Sequence, residues 1–512
     1  MKRPFENAFP AMEAVKDVLY RAMLPRGARQ AKEGRRDGSA PADGMAPADG
    51  KTPADGKTPA DGMAPADGAG DKPRQGFRAP GGGAADRGAA NRGAANRGAA
   101  NRGAANRGAA NRDSGGVTPS QWRRIGREVM SLHEAYTRGG KALRHDSNPI
   151  HDAMSGYQLY FLPRNLFRVH RVLQQLPWRD AAPLELLRPW LEWEGKRPVL
   201  RILDLGCGSG AFSLAWLVWL AARFPAGQGA PDVHLTLVDQ GRRLMALAQR
   251  NLSGFARKAL PGTTLKMETH ASGVDRFLGE PPPERAFAVA GGAMMLAELN
   301  LLGPRRVAGR AEHFSEALRR RVREGGCIVF VEPGTRKGYM NLMAVRDRLA
   351  GLPVLYPCPH GEKCPMWHGR VTGWCHATVA LPQPFFFDRQ LKRTGGIHFE
   401  MREINLAALA VQRTASPGAG APFLGRRGAR VVSAPLAPKT RKQGARAKSR
   451  NADPGAKGKR KGKAGQTPPE PPAPEKNLVL VCEEDGRLHE RPAGKLGRLD
   501  RGRWLEGGGG GP

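Results

Sequence analysis

Cysteine is scarce, and half of it sits in one place. Six cysteines in 512 residues are too few for a disulfide scaffold in so long a chain, and clustered thiols in a reducing compartment point to metal or catalysis instead. A secretory signal is also missing. The start, MKRPFENAFPAMEAVKDVLYRAMLPRG, is broken by charges and prolines before any apolar core reaches the needed length. The most apolar run, Phe212 to Phe224 (FSLAWLVWLAARF), is too short to span a bilayer and fits a buried helix. These absences predict a cytoplasmic protein with no membrane partner.

Large apolar residues are missing from two long stretches. Pro-Ala-Asp-Gly recurs at Pro41, Pro47, Pro53, Pro59 and Pro65, and Gly-Ala-Ala-Asn-Arg recurs from Gly88 to Arg112. Such short periods cannot form a solenoid unit, and the segments bury too little surface to offset chain entropy, so disorder is expected. A second stretch of this kind follows Gly425. Acid is the missing component there: Gly425 to Lys463 holds fourteen Lys or Arg and one acid, Asp453. The whole chain has 82 Lys and Arg against 47 Asp and Glu, a formal net charge of +35. That balance favours a polyanionic partner, RNA or DNA above others, although a basic tail alone also binds nucleic acid without specificity.

What remains divides into modules. We expect an N-terminal segment at 1–38, low-complexity repeats at 39–116 and a helical domain at 117–190 that carries Tyr157, Tyr160, Phe161 and Phe167. A Rossmann-like domain at 191–351 and a cysteine module with further strands at 352–424 follow. A disordered basic linker at 425–475 leads to a final strand and tail at 476–512. Strands are expected at Val199–Leu203, His234–Val238, Thr264–Thr269, Ala286–Ala290 and Cys327–Val331. Helices are expected from Ala211, over Gly241–Ala256 and over Arg305–Arg323. Strand, glycine turn and helix in repetition predict an open α/β fold with a parallel sheet covered on both faces.

The first strand ends in Asp204-Leu-Gly206-Cys-Gly208-Ser-Gly210. Its glycines let the backbone turn tightly and approach a ligand. Asp239, ending the next strand, can hold the two hydroxyls of a ribose. An acid opening the loop suits an ammonium better than a pyrophosphate. Together Asp204, Gly206, Gly208, Gly210 and Asp239 resemble the S-adenosylmethionine site of Rossmann-like methyltransferases. A nicotinamide cofactor, or a glycine turn kept only for packing, are the competing readings. No catalytic residue is evident: after the fourth strand, Glu298 could be a base, but a carboxylate opening a helix is more often a cap or dipole partner.

The stretch PCPHGEKCPMWHGRVTGWCH brings Cys358, Cys364 and Cys375 together with His360, His368 and His376. A nucleophilic Cys beside proline lies too far past the fifth strand. Structural zinc would prefer closer pairs, with a histidine completing the tetrahedron. The wide spacing suits a larger cluster in which separate loops deliver thiolates. Cys207, Cys327 and Cys482 are the thiols left to supply a fourth, and residue type alone does not choose among them.

Several stretches are similar to one family, the mitochondrial small-ribosomal-subunit methyltransferase-like assembly factors and their bacterial relatives. They are Leu299 in AELN, Gly325-Gly326 through Glu332-Pro333-Gly334-Thr335, Cys-Pro-His with Trp-Cys-His, and Cys482 with Asp485-Gly486. The resemblance runs from about Tyr157 to Trp504, without the basic insertion. It implies a class I methyltransferase fold with a four-cysteine iron–sulfur (4Fe–4S) cluster. The ligands it implies are Cys358, Cys364, Cys375 and Cys482. It implies action on small-subunit ribosomal RNA, or in small ribosomal subunit assembly and translation. A non-catalytic assembly factor that keeps the fold as an RNA-binding scaffold, and zinc in place of the cluster, are the alternatives.

Overall fold

The computed structural model describes residues 9–23, 117–137, 152–178, 180–296, 308–358, 360–368, 374–398, 401–413, 429–431, 478–482, 488–492 and 504–505. The repeats at 39–116 lie outside the described residues, as does the basic linker apart from one short strand.

Two helices come first, α1 (Phe9–Met23) and α2 (Pro119–Thr137). A π turn (Tyr157–Phe161) then runs into α3 (Leu162–Gln175). The sheet begins with β1 (Leu191–Glu194) and β2 (Arg197–Leu205), followed by α4 (Ala211–Arg223), β3 (Asp232–Val238), α5 (Arg242–Ala259), β4 (Leu265–His270) and β5 (Phe287–Ala293). Next come α6 (Ala308–Arg321), β6 (Val322–Pro333), α7 (Arg336–Arg348), β7 (Val354–Tyr356), β8 (Ala377–Ala380) and β9 (Glu403–Gln412).

The main sheet runs β4-β3-β2-β5-β6-β9-β7, with β1 on β2 and β8 on β9. The pairs β2–β3, β3–β4, β2–β5 and β5–β6 are parallel. Strand β9 is antiparallel to both β6 and β7. Continuous apolar runs make these strands: Leu200, Ile202, Leu203 and Leu205 of β2 are buried, as are Ile328, Val329, Phe330 and Val331 of β6. That is the signature of a parallel sheet covered on both faces. Helix α4 is apolar all round, with Trp216, Leu217, Val218 and Trp219 buried, so it packs as a core helix.

The helices of 117–190 do not build a separate core. Leu159, Leu162, Leu166 and Leu173 belong to one apolar cluster with Leu200, Ile202, Trp216 and Leu220. The expected helical domain is therefore a layer on the sheet. Helix α1 joins it, with Val15 and Leu19 fully buried and Lys258 paired to Asp17 at 2.7 Å.

A second, four-stranded sheet follows: β10 (Ala429–Val431), β11 (Leu478–Cys482), β12 (Leu488–Pro492) and β13 (Trp504–Leu505), in the order β12-β11-β10-β13. Strand β10 arises within the span expected as linker. Among the described residues no helix is long and apolar enough to cross a membrane.

Candidate cofactor loop and cysteine cleft

After β2 the chain moves outward through β3 to β4, then crosses to β5 and β6 on the other side. The reversal leaves a crevice beyond the carboxyl ends of β2 and β5, where ligands of open α/β sheets bind. The glycine loop fills that position. Gly206, Gly208 and Gly210 have φ of +61°, +51° and +92°, a region that costs other residues roughly 1–2 kcal/mol. Their surroundings differ. A Cβ on Gly206 would strike Met295 Cβ at 2.7 Å, and one on Gly210 would lie 3.2 Å from Ala248 Cβ. At Gly208 it would meet, among the described residues, only Tyr157 Oη, at 3.7 Å. Two glycines allow close packing, then, while the third leaves open space above the loop.

Asp204 is fully buried, between Leu237 and Gly291 in the sheet register. Its Oδ2 accepts from Ser213 N at 3.1 Å and Ser213 Oγ at 2.7 Å, tying the strand to the first turn of α4. Its Oδ1 has no hydrogen-bond partner among the described residues. Desolvation pushes the carboxyl up to about 7, against the lowering effect of the Ser213 bonds, and the Asp239 charge adds to the rise. A buried carboxylate with one idle oxygen costs free energy unless something cationic completes it.

Asp239 is already engaged. Its Oδ2 accepts from Gly208 N at 2.9 Å and its Oδ1 from Gly241 N at 2.7 Å. The acid expected to hold a ribose thus also braces the loop, while its remaining lone pairs can accept further hydroxyls. The five predicted cofactor residues stand together at one crevice.

Two features escaped sequence reasoning. Gln158, in the π turn, donates to Asn251 Oδ1 at 2.7 Å, and Asn251 Nδ2 donates to Ser209 O at 3.1 Å. No local pattern signals a contact 93 residues apart. On the other side, Glu332 of Glu-Pro-Gly-Thr is fully buried. Its Oε1 accepts from Leu296 N at 2.9 Å and fixes the segment after β5. Glu298 lies outside the described residues.

The cysteines sit on the neighbouring lip of the sheet. Cys358, Cys364, Cys375 and His376 line one small cleft with Tyr339, Leu342, Met343 and Leu406. The three thiols are 7%, 4% and 9% exposed. Tyr339 Oη and Cys364 Sγ share a hydrogen bond of 3.4 Å. Burial, reinforced by the three neighbouring thiols, drives the Tyr339 phenol far above its ordinary range. Burial also raises the Cys364 thiol. Trp374 Nε1 donates to Gly334 O at 2.9 Å, joining Trp-Cys-His to Glu-Pro-Gly-Thr. His360 is buried, whereas His368 pairs with Asp347 at 3.2 Å on the outside.

Cys482 closes β11, opposite Arg430 of β10 and Leu488 of β12; its side chain lies outside the described atoms. The structure therefore brings three of the four expected thiols to one cleft. Among the described residues no group of three or more His, Cys, Asp or Glu side chains is placed to hold a metal ion. The donor chemistry still suits a thiophilic centre, for the cleft is lined by thiols, an imidazole and a phenol, with no carboxylate. Cys207 and Cys327 are buried elsewhere, in the loop and in β6.

A family model described as mitochondrial small ribosomal subunit Rsm22 matches residues 306–443. That span holds Glu-Pro-Gly-Thr and the three clustered cysteines, but neither the glycine loop nor Cys482. The chain is 30% identical over 152 residues to the 23S rRNA (uracil(1939)-C(5))-methyltransferase RlmD of Klebsiella pneumoniae (strain 342), covering 30% of each protein. It is 31% identical over 184 residues to the RlmD of Pectobacterium carotovorum subsp. carotovorum (strain PC1), covering 35% of this chain and 36% of the relative. The matches thus span about a third of those relatives. The N-methyltransferase NodS of Bradyrhizobium japonicum WM9 is a similar solved structure, 10% identical, covering 50% of this chain and 98% of that one with a TM-score of 0.25.

Proposed function

We propose that this protein is a methyltransferase-like S-adenosylmethionine binder acting on ribosomal RNA, in small ribosomal subunit assembly and translation. The observation that carries this reading is Asp204 Oδ1, buried and without a partner among the described residues, at the switch point of a parallel sheet. It asks for an ammonium. The open space above Gly208 and the acid at the end of β3 supply the rest of a nucleoside–amino-acid site. S-adenosylmethionine supplies an electrophilic methyl group when bound. The chain's own residues would take its ammonium at Asp204 and its ribose at Asp239, and keep the loop close through Gly206, Gly208 and Gly210. Positioning alone can then carry transfer to a good nucleophile. Two observations support the RNA side of the reading, the +35 charge and the similarity to rRNA methyltransferases and a ribosomal-subunit family.

In the same reading Cys358, Cys364, Cys375 and Cys482 hold a 4Fe–4S cluster, and the protein is cytoplasmic. A cluster with a ligand from beyond the basic insertion clasps the C-terminal half. Calorimetric titration with S-adenosylhomocysteine tests the first claim, and a folded chain that takes up none overturns it. Labelled methyl transfer to small-subunit particles, dependent on Asp204, tests the activity; binding without transfer assigns the fold a scaffolding role. Iron, sulfide and zinc analysis after anaerobic purification tests the cluster. Stoichiometric zinc in a colourless protein would end the iron–sulfur claim, and unchanged metal in Cys482→Ser would remove the fourth ligand.

A further inference from the structure

The N-terminal helical layer brings a side chain to the glycine loop from outside the sheet. Among the described residues, chain neighbours aside, Tyr157 Oη is the atom that approaches the position a Gly208 Cβ would take, at 3.7 Å. The tyrosine opens the π turn, in which Leu162 N–H reaches back to Tyr157 O; such turns recur at functional sites. Its position is held from several sides. Phe161 stacks on the Tyr157 ring with centroids 6.0 Å apart, and both pack on Leu132, Ala153 and Leu244. The next residue, Gln158, latches the turn to the loop through Asn251 and Ser209 O, at 2.7 Å and 3.1 Å.

The loop itself has spent much of its donor capacity. Cys207 N donates to Val238 O, and Gly210 N to Cys207 O. Gly208 N donates to Asp239 Oδ2. An amino-acid ligand whose ammonium meets Asp204 carries a carboxylate on the same carbon. That anion needs donors once it leaves water.

We infer that Tyr157 is a ligand-binding residue of the cofactor crevice, its hydroxyl donating to the α-carboxylate of the ligand's amino-acid end. The N-terminal layer is then part of the cofactor site. This rests on the cofactor reading above, and the test separates the two. Calorimetric titration of the full chain and of Tyr157→Phe uses two probes, S-adenosylhomocysteine and 5′-methylthioadenosine, which keeps the nucleoside but lacks the amino-acid end. A lost hydrogen bond to a charged group predicts roughly tenfold weaker S-adenosylhomocysteine binding by Tyr157→Phe. Methylthioadenosine affinity should stay within about twofold, because its contacts are untouched. Equal losses for both probes, or none for either, overturn the assignment while leaving the cofactor reading intact. An unsubstituted chain that binds neither probe overturns both.

Discussion

Replacing Asp204 by Asn tests the cofactor crevice most directly, because it separates stability from binding. The carboxyl, ordinarily near 3.8, is pushed up to about 7 chiefly by burial. A group whose folded value is raised binds more protons in the native state. Stability is therefore greatest below about pH 4 and is lost as pH rises to about 7, by an amount on the order of 4 kcal/mol. Asn carries no charge to desolvate. Its carbonyl can keep the bonds from Ser213 N and Oγ, which places its amide where the idle Oδ1 stood. Asp204→Asn should thus match the parent only below about pH 4, already be more stable at pH 5, and be more stable at pH 8 by no more than about 4 kcal/mol. Binding should move the other way. A cationic ligand selects the ionised carboxylate, so the parent's affinity for S-adenosylhomocysteine should rise about tenfold between pH 6 and pH 8 as the competent fraction grows. The variant should bind roughly 10–150-fold more weakly at pH 8, the worth of a charged hydrogen bond, and with little pH dependence over that range. Urea denaturation and calorimetric titration at matched pH give both quantities. A variant that binds as tightly as the parent, or a parent whose affinity is flat from pH 6 to 8, refutes the reasoning.

The loop glycines should divide by role. Gly210→Ala forces φ of +92° on a residue whose Cβ lies 3.2 Å from Ala248 Cβ, and should cost roughly 2–4 kcal/mol of stability from conformation and overpacking together. Gly208→Ala has room, so its stability loss should stay near 1 kcal/mol, while S-adenosylhomocysteine affinity falls at least tenfold because the methyl fills the ligand's space; equal stability losses in the two variants would contradict the division. Asp388→Ala should destabilise the protein by about 3–5 kcal/mol in thermal or urea unfolding, since it removes the counter-charge of Arg164, which is 2% exposed and whose Nη2 donates to both Asp388 oxygens at 2.7 Å and 2.8 Å. A loss below about 1 kcal/mol would mean that water reaches the guanidinium.

The parallel half of the sheet was legible because its strands are apolar on both faces. The run expected at Val199–Leu203 spans Arg197–Leu205, and that at His234–Val238 spans Asp232–Val238. The basic helix expected over Arg305–Arg323 forms over Ala308–Arg321, and the strand expected from Cys327 begins at Val322. Local pattern sufficed wherever burial depended on one element's own periodicity. It failed where placement depends on distant partners. Strands were expected within 352–424, but only the slot between β6 and β7 fixes where EINLAALAVQ of β9 sits. The helices of 117–190 looked independent because their apolar faces say nothing of what covers them, and it is the sheet that does.

The site divides along the same line. An acid, three glycines and a second acid mark the crevice because backbone geometry demands them locally. That Asp204 commits one oxygen to Ser213 and leaves the other idle is invisible in sequence, since it depends on where helix α4 begins. For the cysteines, spacing alone placed three in one neighbourhood, and the cleft brings them together with Tyr339, whose contact with Cys364 no motif announces. Cys482 shows where sequence reasoning ends: its strand pairs with β10 and β12, in a sheet that local signals did not announce, so its fitness as a fourth ligand turns on chain geometry and not on residue type. In the proposed cluster, a remote thiol of that kind would constrain how the chain after the basic insertion folds back. Metal content and the order of the C-terminal strands should accordingly be lost together when any one of the four thiols is removed.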